Sequence, residues 1–482
     1  MLSPLINFGV EVKTLKKQLF KEIDAVLSEF ANMFSRKRTF QWFCIFIYGL
    51  LLRFDFRGVT SLIRCFNLKE RCYEQILNFL HSPSWNLRDV IYYWLGIVLR
   101  RVNSFYVKGH LLFIGDATMF SKAAKKMPAV KKLHDSSQNN NRPKYFFGHY
   151  FGFISLLIGG PDKLFALPII GEIQDGLKKI RKYQQKKIPI VEGKEDITTI
   201  TLMLEMGCSL VQRVKQKSLL VLDGYYASKK TFLMAKDCIN DKGENILQVI
   251  VRMKYSTVAY LNPLNCSKDR GRIKLKKLFQ NSKNEFTTIT INVYGKKETV
   301  SYLCLDLYWS DLTEKLRFVL VNCNGKNFIL ACSNSIFSPE EIIKIYSYRF
   351  KIEVTFSNLK HLLKAFDYHF WSKYLPKIKH NRKKGEAQRA LTIDQIKAAV
   401  NKIEVIEGFV NFCSIALGIL QILCIKYSKE INKLNGAYKR TRTTTIPTEE
   451  DTRNVLQSIY FFTSRKTRYS FVFNLIRAKQ KK

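Results

Sequence analysis

Apolar residues recur at i, i+3 and i+4 through LKKQLFKEIDAVLSEFANMF (15–34), SLIRCFNLKERCYEQILNFLHS (61–82) and NLRDVIYYWLGIVLRRV (86–102). That spacing predicts helices over roughly the first 100 residues. The 61–82 stretch also fits a helix-turn-helix, as any small helical bundle would. From residue 110 the texture changes to short unbroken apolar runs. HLLFIGDAT (110–118), HYFGFISLLIGG (149–160) and KLFALPIIGEI (163–173) read as buried strands. DITTITLMLEMGCSLVQRV (196–214) then reads as a helix, SLLVLDGYY (218–226) as a strand, SKKTFLMAKDCI (228–239) as a helix and ILQVIVRMK (246–254) as a further strand.

Residues 255 to about 335 continue in strands. FTTITINVY and ETVSYLCLDLYW flank Gly295-Lys296-Lys297, and LRFVLVNC and NFILACS flank Asn324-Gly325-Lys326, which predicts two hairpins. Ser338-Pro339-Glu340-Glu341 is a helix start, with a capping serine and proline at the first helical position. The helix it opens carries Tyr346, Arg349, Glu353 and Lys360. At about 100° per residue these four share a stripe roughly 60° wide, while Ile345, Ile352, Phe356, Leu359 and Leu363 form an apolar stripe. One face is therefore expected in the core, and the other presents a tyrosine, a carboxylate and two cations together. A solvated face with an Arg349/Glu353 i,i+4 ion pair has the same pattern.

Beyond residue 376 the chain is basic and helical. GFVNFCSIALGILQILCI (408–425) approaches membrane-spanning length, but it contains Asn411 and Gln421 and has no companion segment, so a buried core helix is expected. QWFCIFIYGLLL (41–52) is too short to cross a bilayer.

Charge changes the picture. Lys and Arg outnumber Asp and Glu by 80 to 39, a net +41 spread over 482 residues. Such an excess calls for a polyanionic partner, most commonly nucleic acid. Codon bias toward Lys, Asn, Ile and Phe accounts for part of it, but arginine clusters such as RKR (36–38) and RTR (440–442) contribute as well. The eleven cysteines are scattered and never spaced C-x-x-C, which argues against a zinc site or a disulfide framework and suits a reducing cytoplasm. The N-terminus has no signal-peptide layout.

Two buried-strand candidates, LLFIGD and LLVLDG, each end in an aspartate, Asp116 and Asp223. A carboxylate at the rim of a sheet is costly to bury without a cation or hydrogen bonds. One such residue is usually a turn or cap residue. Two, joined by Glu353 on a helix that also carries Arg and Tyr, suit hard divalent cations, which take oxygen ligands and bind substrate phosphates. A pair of such ions about 4 Å apart supports in-line phosphoryl displacement by water or a 3′-hydroxyl.

Tyr346-x2-Arg349-x3-Glu353-x6-Lys360 resembles the Tyr-(2)-Arg-(3)-Glu-(6)-Lys signature of one large group of bacterial insertion-sequence DDE transposases, and it matches at all four positions. Asp116 in FIGDAT and Asp223 in VLDGYY stand where that family has its first and second catalytic aspartates. The Asp-to-Asp and Asp-to-Glu intervals are 107 and 130 residues. The resemblance covers roughly residues 60–375. It implies an α/β fold with an RNase H-like catalytic core interrupted by a β-rich insertion and flanked by helical regions. The expected division is a DNA-end-binding helical region (1–100), the first part of the core (101–254), the insertion (255–335), the catalytic helix (336–375) and a basic helical C-terminal region (376–482).

The resemblance further implies a cut-and-paste DNA transposase. Asp116, Asp223 and Glu353 would hold two Mg2+ ions, with Mn2+ as a substitute, and Tyr346, Arg349 and Lys360 would grip phosphates near the cleaved end. The implied partners are double-stranded DNA, as terminal inverted repeats and target, and a second copy of the chain in a paired-end complex. A cytoplasmic, DNA-associated protein is expected. In the family the insertion often handles a flipped base or hairpin. Trp309 is the candidate for stacking there, and a rim or core tryptophan is the alternative. Arg252 and Lys254 are candidates for DNA contact or a solvated strand end. SKAAKKMPAVKKLHDSSQNNNRPKY (121–145) is expected as a basic loop, either DNA-facing or simply solvated. Two further readings keep the fold but change the activity: a catalytically silent, transposase-derived DNA-binding protein, and an RNase H-like nuclease or resolvase.

Overall fold

The computed structural model describes residues 17–55, 58–134, 144–160, 162–176, 197–263, 271–293, 296–377, 391–434, 445–463 and 470–481. Five helices open it: α1 (17–29), α2 (Lys37–Leu52), α3 (Thr60–Phe66), α4 (Cys72–Leu80) and α5 (Leu87–Arg101). The 61–82 stretch is two helices because Asn67 turns left-handed at φ 49° and ends α3. From Trp42 to Leu52 every residue of α2 is buried, as expected for a helix apolar on all sides.

The strands follow. They are β1 (Tyr106–Val107), β2 (His110–Ser121), β3 (Lys131–His134), β4 (Tyr145–Gly160), β5 (Lys163–Ile173), β6 (Ser218–Leu222) and β7 (Leu247–Met253). Next come β8 (Val258–Tyr260), β9 (Arg272–Lys274), β10 (Thr287–Val293), β11 (Lys296–Leu307), β12 (Leu316–Cys323) and β13 (Lys326–Cys332). Helices α6 (Thr199–Val214) and α7 (Lys229–Lys236) precede β6 and β7, and α8 (Leu275–Asn281) precedes β10. The order of strand, strand, strand, helix, strand, helix, strand predicted from the apolar runs is present, with β1 and β3 as additions.

The fold is mixed α/β. Its main sheet runs β10-β11-β12-β13-β7-β6-β2-β4-β3, with β5 also on β4 and β1 on β2. Neighbours β2, β4 and β5 are antiparallel, whereas β2–β6 and β6–β7 are parallel. Both hairpins form. Asn324 and Gly325, at φ 51° and 74°, make the tight β12–β13 turn, while residues 294–295 of the other turn lie outside the described residues.

Strands β10 to β13 of the 255–335 region continue the main sheet, whereas β8 and β9 form a separate two-stranded sheet and α8 interrupts the expected run of strands. β13 pairs with β7 from Ile329↔Met253 to Cys332↔Ile250, continuing the sheet over an edge that would otherwise present unpaired backbone groups. The basic stretch 121–145 is not all loop, because β4 extends far enough to pair β3 as well as the end of β2. Its residues 135–143 lie outside the described residues, as do 378–390 of the basic run beyond 376.

The site-bearing segment comprises α9 (Pro339–Ser347) and α10 (Phe350–Ser357), followed by a π-helical turn (Asn358–Leu362). The remaining helices are α11 (Ile393–Lys426), α12 (Ser428–Leu434), α13 (Glu449–Thr463) and α14 (Phe471–Arg477). α11 contains the 408–425 stretch and, among the described residues, is the one helix long and apolar enough to cross a membrane, yet 94% of its apolar window is buried inside the protein. Asn411 explains how a polar residue is tolerated there. Its amide bonds both the N–H and the C=O of Gly171 on β5, at 2.9 and 2.8 Å.

Candidate active site

β2 and β6 run parallel, and their pairing ends at Gly115↔Leu222. Asp116 and Asp223 are the next residues on each strand, so two carboxylates 107 positions apart in the chain emerge side by side. Gly115 permits the tight packing beneath them, since a Cβ there would lie 2.6 Å from Leu222 Cδ2 and 3.2 Å from Met203 Sδ of α6. Asp223 ends its strand as expected. Asp116 does not, because β2 continues to Ser121 and Asp116 stays paired with Phe153 of β4. It sits at the rim of the parallel pair and inside the antiparallel one.

The segment bearing Tyr346, Arg349, Glu353 and Lys360 departs from one uniform helix. Backbone bonds shorten to i→i−3 at Tyr348, Arg349, Lys351 and Ile352, separating α9 from α10, and lengthen to i→i−5 at Leu363. One tightened turn and one widened turn thus flank Glu353, and such irregularities concentrate at functional sites. The capping box predicted at Ser338 and Glu341 forms. The apolar stripe is buried as expected, with Ile345, Ile352, Phe356, Leu359 and Leu363 all in the core. The Thr355 hydroxyl donates to the Ala166 carbonyl of β5 at 2.6 Å, pinning α10 to the sheet.

Arg349 joins the two halves of the site. Its Nη1 donates to Asp116 Oδ2 at 2.6 Å and its Nη2 to Glu353 Oε1 at 2.8 Å, while Asp116 Oδ1 accepts from the Ala117 N–H at 2.7 Å. The i,i+4 pair is therefore not an isolated surface bridge. Burial pushes the Asp116 carboxyl up to about 6; Arg349 and the Ala117 N–H pull it down, and the negative charges of Asp223 and Glu353 add to the rise. Burial alone would weaken Arg349's hold on its proton, but Asp116, Tyr346, Asp223 and Glu353 outweigh that and raise its pKa above the usual arginine value.

The other predicted residues fall at different distances from this centre. Tyr346 is buried with the apolar residues of α9, although the periodicity placed it on the polar stripe. It is nonetheless among the groups that raise the pKa of Arg349. Lys360 lies half-buried on the π turn. Arg252 is exposed just beyond the Leu222↔Val251 pair, hence beside Asp223, with its guanidinium 5.8 Å from the Phe328 ring centre. Lys254 is exposed at the turn after β7. Trp309 is half-buried and packs edge-on against Phe232 of α7 at 5.6 Å.

Several residues escaped the pattern reading. Tyr225, two positions past Asp223, and Phe350, next to Arg349, are exposed aromatics flanking the carboxylates. The Asp-Gly-Tyr-Tyr run was a visible hint for the first. Arg53 and Arg453, both buried, donate to the Leu363 and Leu362 carbonyls at the end of the π turn, at 2.8 and 2.6 Å. No local pattern marks an arginine that serves the backbone carbonyls of a distant segment.

The donor set suits a hard cation, because three carboxylates against one guanidinium leave the centre net negative and every acidic ligand is oxygen. Among the described residues, no three His, Cys, Asp or Glu side chains are gathered into a ready metal cluster. The guanidinium between Asp116 and Glu353 supplies the compensating charge instead.

Comparison with protein-family models finds no match to this chain, and comparison with curated proteins finds none either.

Proposed function

We propose that the chain is a DDE-type DNA transposase with an RNase H-like core, acting at the ends of an insertion sequence by strand cleavage and strand transfer. The observation that carries this reading is the convergence on Arg349 of a carboxylate from the β2/β6 rim and one from α10, with Asp223 alongside. The strand order β5-β4-β2-β6-β7, antiparallel on one side of β2 and parallel on the other, supports the RNase H-like assignment. The net charge of +41 supports a polyanionic substrate.

In this reading Asp116, Asp223 and Glu353 hold two Mg2+ ions, or Mn2+ in their place. When bound, the ions supply Lewis acidity at the phosphate and a water or 3′-hydroxyl nucleophile at neutral pH. Arg349 turns its fork from the carboxylates to two phosphate oxygens, for which its planar geometry is suited. Lys360 and Arg252 add cationic contacts on either side, and Thr355 keeps α10 seated while the duplex is held. A second copy of the chain brings the other element end.

The test is cleavage of DNA carrying the element's own ends in Mg2+, comparing the native chain with Glu353→Gln. Cleavage at the boundary that the variant loses while still binding supports the reading. Equal binding by both without cutting, in Mg2+ or Mn2+, would leave a silent DNA-binding protein. Cutting without regard to element ends would leave a nuclease.

A further inference from the structure

Far along the chain from the carboxylates, three separate segments meet around a cleft of about 480 Å3. Lys37 and Arg38 come from the first turn of α2, Lys69 and Arg71 from the α3–α4 connection, and Lys479 from the stretch after α14. All five charged residues lining it are cations. Among the described residues none of the five forms an ion pair, although Lys69 and Lys479 are half-buried. Glu70, the acid between Lys69 and Arg71, pairs instead with Lys481 at 3.3 Å. The first turn of α2 carries no acidic residue and its Arg36 cap makes no side-chain bond, so the positive end of the helix adds to the same field.

The cleft is built rather than incidental. Residues 479–481 lie antiparallel to 67–69, with the Lys69 N–H donating to the Lys479 carbonyl at 3.0 Å and the Lys481 N–H to the Asn67 carbonyl at 2.9 Å. The Gln480 amide donates to the Phe66 carbonyl at 2.9 Å. The Lys479 ammonium rests 4.5 Å from the centre of the Trp42 ring. Burial makes Lys479 give up its proton more readily than a free lysine; Cys72 opposes this, and the repulsion of Arg38 and Arg71 adds to it. Like charges held this closely repel one another, and a concave basic wall focuses its field on an incoming polyanion.

We infer that this cleft is a second DNA contact, a sequence-independent clamp that takes the phosphate backbone of duplex DNA outside the catalytic centre. The inference rests on the reading of DNA as the substrate and adds where the duplex is held. α2 sets the geometry. Its first turn forms the cleft, and Arg53, just past its last turn, donates to Leu363 at the end of the site-bearing segment. At 1.5 Å per residue, a helix the length of α2 spans roughly 24 Å. That corresponds to about seven base pairs at 3.4 Å per step, so one duplex is long enough to reach from the end of that segment to the clamp.

The experiment measures binding of the full chain to a random-sequence duplex of about 30 base pairs in EDTA, over a range of salt concentrations. It compares the native chain with Lys37→Gln/Arg38→Gln/Lys69→Gln/Arg71→Gln, and runs the boundary-cleavage assay in parallel. The clamp predicts a log–log salt slope shallower by about 0.9 per lost contact, up to about 4, and binding at least about tenfold weaker at 0.1 M salt. Thermal stability is expected to be unchanged or higher, because repulsion is relieved. A slope unchanged in the variant, with native boundary cleavage intact, overturns the clamp and leaves the transposase reading standing. A shallower slope with no cleavage by the native chain supports the clamp while the catalytic reading falls. Single-stranded RNA competing as well as duplex DNA overturns the assignment of the ligand, and no binding to duplex by the native chain overturns both readings.

Discussion

Arg349 reaches Asp116 at 2.6 Å across 233 residues of chain, and that ion pair docks the site-bearing helical segment onto the rim of the sheet. The same guanidinium holds Glu353 at 2.8 Å. One planar fork thus shapes the acidic centre and neutralises part of its charge. Without it, three carboxylates would face one another across a partly buried rim, at a cost that only another cation would offset.

The first prediction concerns pH. The Asp116 carboxyl has an ordinary value of 3.8 and is pushed up to about 6 in the fold. Between those values the native chain binds this proton more tightly than the unfolded chain does, so stability falls as pH rises through the window, and the full cost remains above it. A shift of that size corresponds to roughly 3 kcal/mol. In EDTA at pH 7.5, Asp116→Asn is expected to melt several degrees above the native chain, with the difference closing below about pH 4. An Asn variant that melts lower at pH 7.5 would sink the assignment.

Arg349→Lys keeps the charge and loses the fork. A single ammonium cannot bond two separated carboxylates, or two phosphate oxygens, in the same planar geometry. Single-turnover cleavage is expected to drop by about 100-fold with DNA affinity changed far less, the size typical of a lost transition-state donor. Equal loss in binding and in rate would instead make Arg349 a simple affinity contact.

Thr355→Val nearly preserves shape and deletes the donor to the Ala166 carbonyl. The carbonyl is left buried beneath α10, which predicts a loss of about 1–3 kcal/mol in denaturant unfolding. The loss should be accompanied by faster hydrogen exchange in α10, since this bond seats the helix on β5. Unaltered exchange there would assign the anchoring to apolar packing alone.

Arg453 donates to the carbonyls of Leu51, Arg53 and Leu362, and so ties the end of α2 to the end of the site-bearing segment. Burial, and then the repulsion of Arg53, pushes its guanidinium down to about 10. Arg453→Met removes a costly buried charge but takes a donor from three carbonyls, of which that of Arg53 keeps Gln457 as a second donor at 3.2 Å. The second effect is expected to win, with a net loss of about 3 kcal/mol and enhanced proteolysis near residues 358–366. A variant as stable as the native chain would show that water can replace those three bonds.

The order of strands and helices from 110 to 254, the Ser338 capping box, the Asn324-Gly325 turn and the buried stripe from Ile345 to Leu363 were legible in the chain, because each depends on residues within a few positions of one another, whereas α8 was not. The buried fate of the 408–425 stretch was legible too, from Asn411 and Gln421. Periodicity records which face is apolar, not which element covers it. The parallel pairing that sets Asp116 beside Asp223, the docking of β13 on β7, the burial of Tyr346 and the packing of Trp309 against Phe232 all depend on partners distant in sequence. Arg349, Arg453 and Lys479 carry the same lesson for charge. In the sequence each is one cation among 80. Only the folded chain decides that the first faces two carboxylates, the second three carbonyls, and the third four other cations, because electrostatic energy depends on separation in space and burial rather than on position along the chain.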